Sequence, residues 1–194
     1  MGVDDLAEVL KPEADGGVLR EPGVVEVASS LHRDGRPVQG DLRWGVYVTF
    51  RAPTEYVGRC FREYGLRTDR SGTYAALYRP YHLVGLELGV SIASAALRNE
   101  PTGAPQAFVA DVVACAKRDL EPGEVLDGEG GYTVYGRLVR AAESLERRYL
   151  PIGLAHGVKI IRQVKQDAVV PAAAVSLPER SAALDLRREL IQTR

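Results

Sequence analysis

Leu42-Arg-Trp-Gly-Val-Tyr-Val-Thr-Phe50, followed by Pro53-Thr54 and Glu55-Tyr-Val-Gly-Arg-Cys-Phe-Arg-Glu63, decides the fold class of this chain. The first run is rich in β-branched and aromatic residues and reads as a strand. The second places Tyr56, Val57, Cys60, Phe61 and Tyr64 at helical spacing, which predicts one apolar face. Thr54 is suited to cap that helix and Gly65 to end it. Glu55/Arg59 and Arg59/Glu63 are i,i+4 pairs on the solvent side. A strand followed by an amphipathic helix needs a sheet face to bury the helix, so the N-terminal portion is read as α+β.

Working outward, Asp4–Leu10 reads as a short helix, Val24–Ala28 as a strand and residues 73–79 as a further strand. A strongly apolar helix follows over 83–98. The expectation for residues 1–110 is a mixed sheet with helices 54–64 and 83–98 covering it. From Asp111 the texture changes to short β runs and turns. Arg118-Asp-Leu-Glu-Pro-Gly-Glu-Val-Leu126 and Arg162-Gln-Val-Lys-Gln-Asp-Ala-Val-Val170 share one pattern, 44 residues apart. Their turn positions are Gly123 and Asp167. Glycine takes positive φ freely and aspartate tolerates it better than most residues. This weak repeat predicts a compact, pseudo-symmetric β-rich module over 111–177, with a helix near 141–149. A last helix over 179–192 uses Leu184, Leu186, Leu190 and Ile191 as its apolar residues, in a tail running from 178 to 194.

Composition bounds the function. The 194 residues are 45% apolar, with 25 basic and 26 acidic side chains and a net charge of −1. That balance argues against a nucleic-acid binder. No run approaches the length of a membrane span. The acidic Met1-Gly2-Val3-Asp4-Asp5 start does not read as a secretion signal. Cys60 and Cys115 form no metal or redox motif and read as small core residues, so the expected compartment is the reducing cytoplasm. Three scattered histidines and two cysteines exclude a zinc-finger type of site.

The chemistry-bearing cluster is Arg79-Pro80-Tyr81-His82, with Glu87 further on. A helix N-terminus presents free N–H groups that favour anions. Arg79 adds a planar donor suited to phosphate or carboxylate. His82 titrates near neutrality, and Glu87 is a charge on an apolar helix that needs a partner if buried. The competing reading is a capping turn with Tyr81 in the core and Arg79 in solvent. Gly128-Glu-Gly-Gly-Tyr132 reads as a tight loop, with ligand contact as the alternative. His156 reads as a hydrogen-bonded structural histidine. The sequence contains neither a strand-borne GxGxxG nor a GxxxxGK[ST] motif.

Ala116-Lys-Arg-Asp-Leu-Glu-Pro-Gly-Glu-Val-Leu126 and Leu150-Pro-Ile-Gly-Leu-Ala-His-Gly-Val158, followed by Lys159-Ile-Ile-Arg162, resemble a SAF domain. This small β-clip-like module is shared by sialic-acid-synthase antifreeze-like domains and flagellar P-ring chaperones. The longer stretches Tyr78–Glu87 and Gly128–Gly136 resemble homoserine-dehydrogenase-like oxidoreductases that carry a C-terminal SAF domain, including deoxyxylulose-phosphate reductoisomerase-like enzymes. The resemblance covers nearly the whole chain but only the C-terminal half of such an enzyme.

It implies a partial oxidoreductase catalytic domain over 1–110 and a SAF domain over 111–177. It further implies a small phosphorylated or polyhydroxylated substrate, bound by Arg79, with Tyr81, His82 and Glu87 as catalytic candidates. NAD(P) is implied for the full-length family, while this chain lacks the Rossmann domain and is expected to bind no dinucleotide. A homo-oligomer or a separate Rossmann-containing chain is the expected partner. The alternative is a stand-alone SAF-type module that binds a sugar or a protein without catalysis.

Overall fold

The computed structural model describes all residues except 22, 26, 33, 41, 43, 44, 82, 104–106, 193 and 194, and the side chain of residue 84. The chain divides into two compact units, Met1–Ala104 and Pro105–Arg194.

In the first unit, α1 (Leu6–Val9) follows a 3-10 turn. Then come β1 (Val46–Arg51), α2 (Glu55–Glu63), β2 (Arg67–Thr68), β3 (Tyr74–Arg79) and α3 (Val84–Ala93). α3 continues as a π-helical turn over Ser94–Arg98. The sheet order is β1-β3-β2 and both ladders are antiparallel. The sheet is therefore antiparallel where a mixed sheet was expected. The α2 crossover leaves β1 and β2 pointing the same way, but β3 lies between them, so no parallel pair forms. The described residues of 24–28 carry no strand.

Helix α2 begins as its sequence dictates. The Thr54 hydroxyl accepts a hydrogen bond from the Val57 N–H at 3.3 Å, satisfying one of the orphan donors of the first turn. Phe61 packs edge-on against Phe50 of β1, with ring centroids 5.4 Å apart. Gly58 lies against the β2–β3 turn, where an added Cβ would come within 2.7 Å of the Gly72 carbonyl oxygen. Tyr56 and Tyr64, assigned to the apolar face, are instead exposed. The inward face is narrower than the periodicity suggested because the turn meets the helix backbone at a glycine.

The other face of the sheet is covered by α1. Leu6, Ala7 and Leu10 form a small core with Leu42 and Ala76, and Tyr47 and Tyr78 pack against it. Below it lies a buried charge cluster. The Lys11 ammonium reaches Asp69 at 3.0 Å and Glu8 at 3.1 Å. Asp69 also accepts from the N–H groups of Thr73 and Tyr74 and from the Ser71 hydroxyl, closing the hairpin turn. Burial pushes the Asp69 carboxyl up, but these donors and Lys11 outweigh it and hold it at about 2. α3, expected to cover the sheet, packs chiefly with its own π-helical continuation.

The second unit comprises β4 (Ala110–Ala116), β5 (Val125–Asp127), β6 (Val134–Arg140), α4 (Ala141–Glu146), β7 (His156–Ile160), β8 (Val175–Ser176) and α5 (Ala182–Gln192). β4 pairs with β6, and β7 lies between β5 and β8. The two repeated segments occupy equivalent positions about a pseudo-twofold axis. Leu120 and Val164 exchange backbone hydrogen bonds with each other at 2.8 and 3.0 Å. The Gly123 N–H donates to the Ile160 carbonyl, and 44 residues on, the Asp167 N–H donates to that of Ala116. Gly123 and Asp167 both have positive φ, 99° and 62°. Leu120, Leu126, Val164 and Val170, equivalent in pairs, enter one core with Leu150 and Ile160.

α5 belongs to this unit. Its Arg187 pairs bidentately with Asp111 of β4, and the Ser144 hydroxyl donates to the same carboxylate at 2.5 Å. The guanidinium lies 4.6 Å from the Phe108 ring centroid. Leu186, assigned to the apolar face of this helix, is exposed, and Arg187 takes the inward position.

Candidate functional site

β3 ends at Arg79, and the chain turns through Pro80 and Tyr81 before α3 begins at Val84. Pro80 thus precedes the helix instead of forming its first turn. No side chain caps the Leu83 N-cap position. Glu87 serves the helix start instead: one carboxylate oxygen accepts the Leu83 N–H at 3.2 Å. The other accepts from Arg79 Nη1 at 2.5 Å. This pairing holds the Arg79 guanidinium above its ordinary pKa. The same guanidinium stacks over the Tyr81 ring, 5.4 Å from its centroid.

Tyr81 is 46% exposed, so the core position of the capping-turn reading is not adopted. The structure therefore brings Arg79, Tyr81 and Glu87 together. His82 lies outside the described residues. A carboxylate on one side and an aromatic face on the other hold the Arg79 guanidinium in place.

Besides a cavity beside α3 lined by residues such as Val90, Leu97 and Thr102, two cavities lie elsewhere in the first unit. The larger, about 970 Å³, runs along the whole of β1 and is lined largely by apolar side chains such as Leu10, Leu19, Val24 and Val27. Its polar groups include Arg51, Thr49 and the Tyr74–Asp15 pair, in which the Tyr74 hydroxyl donates at 2.6 Å. That bond to a carboxylate, then burial, raises the Tyr74 pKa. Arg79, Tyr81 and Glu87 are not among its described lining residues. The smaller, about 400 Å³, lies at the N-terminal end of α2 and brings together Arg51, Arg59 and Arg62 with Ser71 and Thr73, against the single carboxylate of Glu55. In the sequence Arg59 appears only as the partner of Glu55 and Glu63 on the solvent side of α2, and Arg62 carries no signal of its own. Arg51, on a strand, carried no spacing signal that would have joined them.

The Gly128–Tyr132 segment is a closed loop. The Asp127 carboxylate accepts from the N–H groups of Tyr132 and Thr133 and from the Thr133 hydroxyl. The hydroxyl bond leads in lowering the Asp127 pKa to about 2. Lys117 Nζ donates to the Gly131 carbonyl. The His156 Nδ1 pairs with the Asp127 carbonyl oxygen at 3.1 Å, a structural role. This loop does not fit the pyrophosphate of NAD(P). A carboxylate already fills its N–H cradle, and it leads into a strand instead of a helix. Among the described residues no group of three metal-ligating side chains occurs. Nor is any described helix long and apolar enough to cross a membrane.

Residues 1–88 match the model of a family described as oxidoreductase DRL, catalytic domain. The match takes in the sheet, α1, α2 and the cluster from Arg79 to Glu87. The matched stretch lies within the first unit and covers less than half of the chain; it supports a likeness of that unit to part of an oxidoreductase catalytic domain. A search of curated proteins returned no match.

Proposed function

We propose that the chain is the substrate-handling portion of an NAD(P)-dependent oxidoreductase of the reductoisomerase-like group, acting on a small phosphorylated or polyhydroxylated molecule. The observation that carries this reading is the family match over residues 1–88, which ends on the Arg79–Glu87 cluster. Arg79 binds the anionic or hydroxylated end of the substrate, displacing Glu87. Glu87 and Tyr81 act as catalytic groups beside it, with His82 a further candidate by its place in the sequence. The nicotinamide is held by a Rossmann domain outside this chain, so residues 1–194 are inactive alone. The second unit is a SAF module, a reading supported by its pseudo-twofold β arrangement.

Calorimetric titration tests both halves of this reading. A small sugar phosphate is expected to bind weakly to residues 1–194, and Arg79→Met to abolish that binding. NADH and NADPH are expected to give no heat. Micromolar dinucleotide affinity, or sugar-phosphate binding unaffected by Arg79→Met, overturns the assignment.

A second reading is favoured by the sealed core of residues 110–176: a SAF-type module that binds a sugar or protein without catalysis. It is distinguished by ligand-induced amide shifts confined to that unit.

A further inference from the structure

The arginines around α2 are oriented without being neutralised. Arg51 ends β1, and Arg59 and Arg62 follow three residues apart on α2, so their side chains share one side of that helix. With Glu55, Ser71 and Thr73 they line the cavity of about 400 Å³. Among the described residues none of the three guanidinium groups forms an ion pair. The i,i+4 pairs of Arg59 with Glu55 and Glu63 that the spacing predicts are not made. Arg59 lies instead over the Tyr56 ring, 5.8 Å from its centroid. Arg62 rests on the turn between β2 and β3, where Gly72 has a φ of 74°. A Cβ at Gly72 would stand 1.6 Å from Arg62 Nη1, so the guanidinium occupies the place a side chain would take. Arg79 is the contrast, held by the Glu87 carboxylate and its charge answered within the chain.

Three guanidinium groups against the single carboxylate of Glu55 leave an excess of positive charge that calls for a dianion. The donors on offer decide which kind. A phosphate is ordinarily cradled by unclaimed backbone N–H groups at a helix start or a turn. Here four such groups are claimed within the chain. The Val57 N–H donates to the Thr54 hydroxyl and the Gly58 N–H to the Thr54 carbonyl. The Gly72 N–H donates to the Asp69 carbonyl and the Thr73 N–H to the Asp69 carboxylate. Pro53 has no N–H to offer. The cavity presents planar guanidinium edges instead, whose paired N–H bonds match the two oxygens of a carboxylate. The Thr54 hydroxyl adds a proton that its bond from Val57 does not use. The volume lies near the lower end of the range for ligand sites, about 300–1,000 Å³, which suits a short molecule. We propose that this cavity binds a small dicarboxylate, one carboxylate taken by Arg59 and Arg62 and the other by Arg51.

The site is separate from the Arg79–Glu87 cluster. Along the β1–β3 ladder Val46 faces Arg79 and Arg51 faces Tyr74, so the two stand at opposite ends of the sheet. At the antiparallel rise of about 3.4 Å per residue this is about 17 Å of strand, more than a small molecule spans. The inference does not rest on the oxidoreductase reading.

Calorimetric titration of residues 1–194 with succinate tests it, with acetate and inorganic phosphate as comparison probes. Succinate is expected to bind at least tenfold more tightly than either. Arg51 and Arg59 are exposed, so their truncation leaves the core intact. Arg51→Gln and Arg59→Gln should each weaken succinate by roughly tenfold or more, the scale of losing a charge-assisted contact. Arg79→Met should leave succinate binding unchanged. Glu55→Gln removes the competing carboxylate and should tighten succinate severalfold, a gain that a misfolded variant does not give. The inference is overturned by any of four results: no heat with succinate, acetate or phosphate binding as tightly as succinate, Arg59→Gln binding it as the parent does, or Glu55→Gln binding it no more tightly.

Discussion

The two units bury their apolar residues very differently. Residues 110–176 place Val113, Leu120, Leu126, Val134, Leu150, Ile160 and Val170 almost wholly out of water, in a core closed on both sides of the pseudo-twofold axis. Among the described residues, Leu6 is the one large side chain of the first unit buried to that degree. The first unit leaves Val46, Val48 and Leu77 exposed on the sheet face that α2 covers only in part, as well as the apolar side of α3. The contrast is physical in origin. A repeated strand–turn–strand unit supplies its own second layer by symmetry. A three-stranded sheet with one four-residue and one nine-residue helix does not supply enough area. Among the described residues the second unit therefore closes its apolar core, whereas the first leaves more of its apolar surface in water.

The largest test of that contrast is truncation in the closed core. Leu126→Ala removes a fully buried side chain and should destabilise the second unit by roughly 2–5 kcal/mol. Hydrogen-exchange mass spectrometry should register the loss in peptides from 110–176 and leave those from residues 46–79 unchanged. Faster exchange in both units to the same extent would show one cooperative body, not two.

The corresponding weak point of the first unit is electrostatic. Lys11→Met strands Asp69, whose side chain is 2% exposed, beside an apolar neighbour. Breaking a buried pair from one side costs about 3 kcal/mol or more. With so small an apolar core to compensate, the β2–β3 hairpin and α1 should lose exchange protection together. Retention of protection in Lys11→Met would mean that Ser71 and the backbone donors suffice to hold Asp69.

The parts of this architecture legible in the sequence are those written in local chemistry. Thr54 and Gly65 marked the ends of α2, the β-branched run marked β1 to within a few residues, and the 118–126 and 162–170 pattern marked the pseudo-symmetry. The parts that were not legible depend on partners distant in sequence. Lys11 meets Asp69 across 58 residues, and Arg187 meets Asp111 across 76. Nothing in helical periodicity reveals that an arginine takes the inward position of α5 while Leu186 faces solvent. Val24–Ala28 has strand-forming residues, but its described positions join no ladder. Of the candidate site, the Arg79–Glu87 pairing was readable as one option for a charge on an apolar helix. The arginine-lined cavity was not, because Arg51 comes from a strand edge and Arg59 and Arg62 from a helix.

Acid sharpens the comparison with a smaller effect in each unit. Asp69 and Asp127 both sit near pKa 2 in the folded chain, against an ordinary aspartate value of 3.8. A carboxyl depressed on folding contributes stability that is fully present above its unfolded pKa and is lost as pH falls through the folded one. Both units should therefore weaken between about pH 4 and pH 2. Asp127→Asn should flatten that dependence for residues 110–176 only, and Asp69→Asn for the first unit only, as read from urea midpoints at each pH. An unchanged slope in Asp127→Asn would mean that the Thr133 and Tyr132 donors do not hold the loop in solution.

The smallest expected effect probes the pseudo-symmetry itself, through the one equivalent pair of turn residues that differ. Gly123 sits at φ 99° and Asp167 at φ 62°. The second angle falls in the left-handed region that aspartate tolerates, and the first lies well outside it. Exchange of the two residue types should therefore be asymmetric. Asp167→Gly relieves a mild conformational strain but adds freedom to the unfolded chain, so the two contributions nearly cancel, within about 0.5 kcal/mol. Gly123→Asp forces a side chain where only glycine is unstrained and should cost about 1–2 kcal/mol. No neighbouring atom stands within 4 Å of a Cβ at Gly123, so that cost is backbone strain and not a clash. Equal midpoints for the two variants in urea unfolding would show that the two turns relax to one geometry, making the pseudo-twofold axis closer to true symmetry than the backbone angles indicate.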